Sequence, residues 1–234
     1  VHNKCFREDT QVILSDGSRK TIQDVKVGDE LLGKDNMVNE VLELHRPTLS
    51  LRDHELPQPL RMTSINGGGY DASEDHMFMT TDGWKTPTPE KCKIIHKRVL
   101  DQEGISDIQK LQVGDSIVTS DGIVEVTSVD FKEDDPDLQL YNFILTGNRT
   151  YHVVMEGHDK ALLVHNKGGG SIICTELFLR GWMPTDIYEA DETYGRTLFE
   201  TQPHMEIGYH RWGRIVTEWM NGRGPTFMWW IKDK

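Results

Sequence analysis

The chain has 234 residues, 36% of them hydrophobic and 27% charged, with a formal net charge of −12. That composition fits one folded domain with an appendage, not a disordered chain, and an excess of Asp and Glu speaks against a nucleic-acid partner, which needs clustered Lys and Arg. No apolar run is long enough to span a membrane and no signal-peptide pattern is seen, so a cytoplasmic setting is expected; the chain begins at Val1, and a longer precursor is expected around it.

Residues 1–4 read as a flank, and their sequence, Val1-His2-Asn3-Lys4, recurs as Val164-His165-Asn166-Lys167. From Thr10 to Leu14 the residues alternate as a strand, and Ser15-Asp16-Gly17-Ser18 gives a hairpin signal. Val27-Gly28-Asp29 reads as a turn feeding a strand over Glu30 to Leu32. Further strands are expected at Val38 to Leu44, Arg61 to Ile65 and Met77 to Thr80, with a turn at Asn66 to Gly69.

An internal repeat then emerges. Ile22-Gln23 and Val27 to Leu32 match Ile108-Gln109 and Val113 to Val118, while Asp9 to Gly17 parallels Asp75 to Gly83. The second copy carries an extra segment near Glu90 to Ser106. Two similar β subdomains related by a pseudo-twofold axis are expected. Strands at Tyr141 to Leu145 and Thr150 to Met155 flank a turn at Thr146 to Arg149, and Leu162 to Val164 is a last buried strand.

After a Gly168-Gly169-Gly170 linker the pattern changes. Ile173 to Arg180, Pro184 to Phe199 and Pro203 to Asn221 have helical spacing, with Pro start signals and stops at Gly222 and Gly224. The aromatic tail, Phe227 to Ile231, has two readings: a contact for a protein partner or a second copy, or part of an ordinary small helical core. The fold class expected is mostly β, followed by a small α-helical region.

Cys5, Cys92 and Cys174 have neither disulfide-framework nor zinc spacing and fit a reducing compartment. The histidines are scattered, so no metal and no cofactor is expected. Two places carry chemistry. An Asn held rigidly after a buried strand, with an imidazole beside it, can close its side-chain amide on its own carbonyl. At His165-Asn166 this would form a succinimide and break the Asn166–Lys167 bond. Cys5 can attack the carbonyl of Lys4 and turn that amide into a thioester. Each has a plainer reading, since a lone Cys is commonly inert and buried, and a His-Asn pair is commonly just a loop.

The blocks occur in order. Cys5-Phe6, Asp9-Thr10 and Val12, then Ser73 and His76, then Leu140 to Phe143 with Thr150-Tyr151, then Leu163 to Asn166 resemble the Hint (Hedgehog/intein) superfamily over roughly Cys5 to Asn166. The resemblance implies a pseudo-twofold β fold and a self-processing domain at 5–166, between a flank at 1–4, a linker at 167–170 and a helical flank at 171–234. It implies that His76 protonates the departing nitrogen of Cys5, that Ser73 holds the scissile amide, and that His165 stabilises attack by Asn166. Asn142 stands where Asp is common, Arg149 replaces a His, and His152 is a nearby substitute for that His. Lys167 stands where splicing needs Cys, Ser or Thr, which favours cleavage of the flanks over ligation. The region after Gly170 is similar to flanks of phage structural proteins. Two functions follow: autocatalytic cleavage of the chain's own flanking segments, or an inert β module of a phage or bacterial structural protein that acts by protein contact.

Overall fold

The computed structural model describes residues 5–49, 60–68, 70–102, 104–154 and 158–166, and beyond these 173–174, 177, 180–184, 186–188, 190–191, 194–195, 198 and 202–220. Residues 1–4 with their repeated tetrapeptide, Lys167, the triglycine, Ser171, the stop signals Gly222 and Gly224, and the Phe227 to Ile231 tail lie outside the described residues. The chain divides into two units, Val1–Lys167 and Gly168–Lys234.

The first unit is mostly β, in short strands. They are β1 (Gln11–Ile13), β2 (Arg19–Thr21), β3 (Glu30–Leu32), β4 (Val38–His45), β5 (Met62–Ile65), β6 (Tyr70–Ser73), β7 (Phe78–Thr80) and β8 (Gly83–Thr86). A helix, α1 (Pro89–Gln102), follows. Then come β9 (Gln109–Lys110), β10 (Ser116–Thr119), β11 (Gly122–Glu125), β12 (Val129–Lys132), β13 (Asn142–Leu145), β14 (Thr150–Val154) and β15 (Leu162–His165). One large sheet runs β2-β1-β14-β15-β10-β7-β8-β9, with β11 on β10 and β15 also bridging to β7. Two smaller sheets are β12-β5-β6 and β13-β4-β3. β13 and β14 flank the expected turn but do not pair with each other, because β13 runs with β4 and β14 lies between β1 and β15.

The internal repeat is written in hydrogen bonds. Gly28 and Gly114 adopt φ of 91° and 92°, a region open to glycine because it has no Cβ. Gly28 N donates to Val41 O at 2.8 Å, and Gly114 N to Val126 O at 2.9 Å. Asp29 accepts from the backbone of Lys26 at 2.8 Å and from Lys20 Nζ at 2.7 Å. Asp115 accepts from the backbone of Gln112 at 2.9 Å and from Lys85 Nζ at 2.6 Å. Each aspartate thus closes its own turn and ties it to a lysine on the preceding hairpin. The two copies share the large sheet through β14 and β15. The extra segment of the second copy is α1, whose Cys92 and Leu100 pack on Met77 and Ile108. The main core, including Phe6, Val12, Leu31, Phe78, Ile117, Phe143, Tyr151 and Val164, lies between the sheets.

In the second unit, α2 (Pro203–Met220) opens on Pro203, a residue suited to a first helical position. Its Tyr209 hydroxyl accepts a hydrogen bond from the Ile173 amide at 3.2 Å. Among the described residues no helix is long and apolar enough to cross a membrane.

Candidate active site

Cys5 has no exposed surface and packs among Leu49, Leu60, Met62 and Leu140. Its amide donates to Ser73 Oγ at 3.1 Å, and its carbonyl accepts from the Ser73 amide at 2.9 Å. Phe6 then bridges Ala72 on one side and Tyr141 on the other. Phe6 and Tyr141 exchange both backbone hydrogen bonds, at 3.1 and 2.9 Å. The segment that starts at Cys5 is therefore stitched between two others before β1 begins.

His76 ends the turn that Ser73 begins, its amide donating to the Ser73 carbonyl at 2.9 Å. The imidazole lies against Phe6, ring centroids 4.3 Å apart, and near Phe78 at 5.5 Å. Its Nδ1 is 3.3 Å from the Met77 carbonyl. That same carbonyl accepts from the His165 amide at 3.3 Å. A single peptide oxygen thus stands between the histidines of the two reactive ends.

Asn166 is fully buried, and its amide donates to the Arg149 carbonyl at 2.8 Å. Its side chain forms a reciprocal pair with Asn142. Asn142 Nδ2 donates to Asn166 Oδ1 at 3.0 Å, and Asn166 Nδ2 donates to Asn142 Oδ1 at 2.8 Å. Asn166 Nδ2 also donates to the Phe143 carbonyl. Asn142 Oδ1 in turn accepts from the Phe143 amide at 2.8 Å. His165, at the end of β15, packs edge-on to Trp84 with centroids 5.2 Å apart. Arg149, at φ 58°, takes part through its backbone carbonyl.

Cys5, Ser73 and His76 are joined in one cluster, and His165 and Asn166 in another. The Tyr141 to Phe143 stretch, with Phe6 at one end and Asn166 at the other, connects them. His152 is not brought to either. Strand alternation turns Tyr151 toward Phe6 and Phe143 and His152 the other way. There its Nδ1 sits 2.9 Å from the Leu32 carbonyl, on a pocket of about 390 Å³ lined also by Lys34, Thr80 and Leu163. Burial pushes the His152 imidazole below its ordinary pKa, against the opposing pull of the Leu32 carbonyl.

Two residues of the site have surroundings that the sequence did not reveal. One is Asn142. The other is Tyr151, whose hydroxyl is fully buried and has no hydrogen-bond partner among the described residues. Burial, above all, pushes its pKa well above the usual phenol range. Period-two alternation from the core residue Val153 was the signal that could have pointed to Tyr151.

A family model described as Hom_end-associated Hint matches residues 5–55. The catalytic subunit of the Candida tropicalis V-type proton ATPase is 48% identical over 46 residues, which are 20% of this chain and only 4% of that protein's length. Among solved structures, a bacterial intein-like domain from Clostridium thermocellum is 24% identical, covering 69% of this chain and 98% of its own, at a TM-score of 0.48. A DnaB intein from Synechocystis is 14% identical, covering 70% of this chain and 99% of its own, at a TM-score of 0.44. The family model thus falls on the segment that opens at Cys5, and the unit around that segment is mostly β and built on a twice-used turn.

Proposed function

We propose that this domain is a single-turnover, self-processing module whose substrate is its own flanking segments. Residues 5–166 form the processing domain, 167–170 the linker and 171–234 the downstream flank. One observation supports this reading above the others. The two residues that would react, Cys5 and Asn166, are both buried, and both are tied to the Tyr141 to Phe143 stretch, Cys5 through Phe6 and Asn166 through Asn142.

At the first junction, the Cys5 thiolate attacks the carbonyl carbon of Lys4. The bond from that carbon to the Cys5 nitrogen breaks, His76 delivers a proton to the nitrogen, and a thioester remains. Ser73 Oγ accepts from the scissile N–H and so fixes the plane of the amide. Water or an added thiol then takes the acyl group. At the second junction, Asn166 Nδ2 attacks the carbonyl carbon of Asn166 itself. The bond to the Lys167 nitrogen breaks, that nitrogen takes up the proton lost from Nδ2, and a succinimide closes. His165 stabilises the developing charge. Lys167 leaves as an amine. Its ε-ammonium stays protonated near neutrality and cannot accept an acyl group, so the outcome is cleavage rather than ligation.

The test is intact mass of the full chain after incubation, with Cys5→Ala and Asn166→Ala beside it. The wild type yields a fragment beginning at Lys167, and dithiothreitol speeds release of whatever precedes Cys5. Absence of the Lys167 fragment, or its persistence in Asn166→Ala, sinks the reading.

A further inference from the structure

Between Ser73 and His76 lie two carboxylates, Glu74 and Asp75, neither with exposed surface. Burying two charges side by side costs several kcal/mol each unless both are paired and hydrogen-bonded, by order-of-magnitude estimate about that much per ion. Both main counter-groups come from α1. Glu74 accepts from Lys91 Nζ at 2.6 Å and from Thr88 Oγ1 at 2.9 Å, just ahead of the helix. It also accepts from the Arg61 amide at 2.8 Å and guanidinium at 3.2 Å. Burial alone would raise the Glu74 pKa, but these donors together hold it below the ordinary value. Asp75 Oδ2 meets His96 Nε2 at 2.7 Å, in a pair that is 0% and 2% exposed at its two side chains. His96 stands at a kink in α1, with φ −117° and ψ 15°. On the other side of His76, Met77 packs on Cys92 and Leu100 of the same helix. One helix therefore grips the residues directly before and after His76.

We propose that α1 is the positioning element of the N-terminal step, with His96 as a positioning residue that acts on His76 through Asp75. The inference rests on the self-processing reading and extends it to the segment that the second half of the repeat adds. A turn needs no buried acids, and neutral residues would form it at less cost. Paired acids aimed at two different turns of α1 fix the turn's orientation as well as its shape, and the His76 ring is then set against Phe6 rather than left to rotate.

The experiment uses the full chain and reads the two cleavages separately. His96→Leu removes the donor to Asp75. Thiol-induced release at Cys5 should slow at least about tenfold, the size expected when a reacting group is misplaced. Formation of the Lys167 fragment should stay within about twofold, because the nucleophile Asn166 is aimed by Asn142 and the Phe143 carbonyl. His96→Gln, which keeps a donor, should recover most of the lost rate. If His96→Leu fails to fold, Asp75→Ala/His96→Leu removes both members of that pair and leaves neither of them buried alone, and the same two rates are read. A second readout needs no cleavage. In Asn166→Ala, the ring-proton NMR shifts of His76, which report its place beside Phe6 and Phe78, should move on His96→Leu and not on Lys93→Ala, an exposed change in the same helix. If the wild type releases nothing with thiol, the self-processing reading of that end fails and the NMR shifts alone decide the positioning. A folded His96→Leu variant with unmoved His76 shifts, or one that slows both cleavages equally, overturns the proposal.

Discussion

Asn142→Ala is the sharpest perturbation of the C-terminal reaction. It deletes both side-chain hydrogen bonds to Asn166, at 3.0 and 2.8 Å, and the acceptor for the Phe143 amide. It leaves the Asn166 amide on the Arg149 carbonyl and Nδ2 on the Phe143 carbonyl. Two hydrogen bonds at a net ~0.5–1.5 kcal/mol each amount to about 1–3 kcal/mol. If that energy serves to orient the nucleophile, the rate of succinimide closure should fall roughly 5- to 150-fold. The assay is the time course of the fragment beginning at Lys167, by intact mass, with urea unfolding of the same sample to separate lost orientation from lost fold. Cleavage at the wild-type rate in a folded Asn142→Ala protein would refute the claim that the reciprocal amide pair aims Asn166.

Ser73→Ala removes the acceptor for the Cys5 amide and should slow thiol-induced release about tenfold while leaving the Lys167 fragment unaffected, checked on the same gels and spectra. His152→Leu should leave both cleavages unchanged, since the ring faces the pocket by Leu32. It should also flatten a pH trend. His152 is held below its unfolded value of 6.5, so it contributes stability that is present above that pH and is lost as pH falls toward the folded value. Urea midpoints between neutral and mildly acid pH should therefore drop less in His152→Leu than in wild type. Gly28→Ala and Gly114→Ala meet no atom within 4 Å, so each pays only for its positive φ. Both should lose about 1–2 kcal/mol and by similar amounts, read by urea unfolding; a large difference would break the equivalence of the two turns.

What the sequence revealed was local or periodic. The Val-Gly-Asp turns were legible because a glycine at positive φ and an aspartate closing the turn leave the same signature in both copies. The short strands were legible from alternation, and β15 from its unbroken apolar run. The partners across the fold were not. Nothing near Asn142 announces that its amide faces Asn166, 24 residues away and just past a strand of another sheet. Nothing near Glu90 to Ser106 announces what its helix holds, because Lys91 and His96 reach Glu74 and Asp75 through ionic contacts that leave no periodic trace. His152 was drawn toward the site by nearness in sequence, and a period of two sent it to the other face while its neighbour Tyr151 took the inward place.

The complete burial of Cys5 makes the two proposed cuts unequal as products. A succinimide at Asn166 is uncharged and leaves the interior as it was. A cut before Cys5 instead creates an amino group at a position with no exposed surface, donating into Ser73 Oγ. An ammonium there would lose its hydration, so the amine is driven to stay neutral, and a neutral amine beside a thioester is a nucleophile. The acyl group is thus pulled back toward the original peptide bond. Under the proposed chemistry, the N-terminal step is a reversible store that empties only when an outside thiol or water arrives, whereas the C-terminal step loses its amine with the departing flank and runs one way.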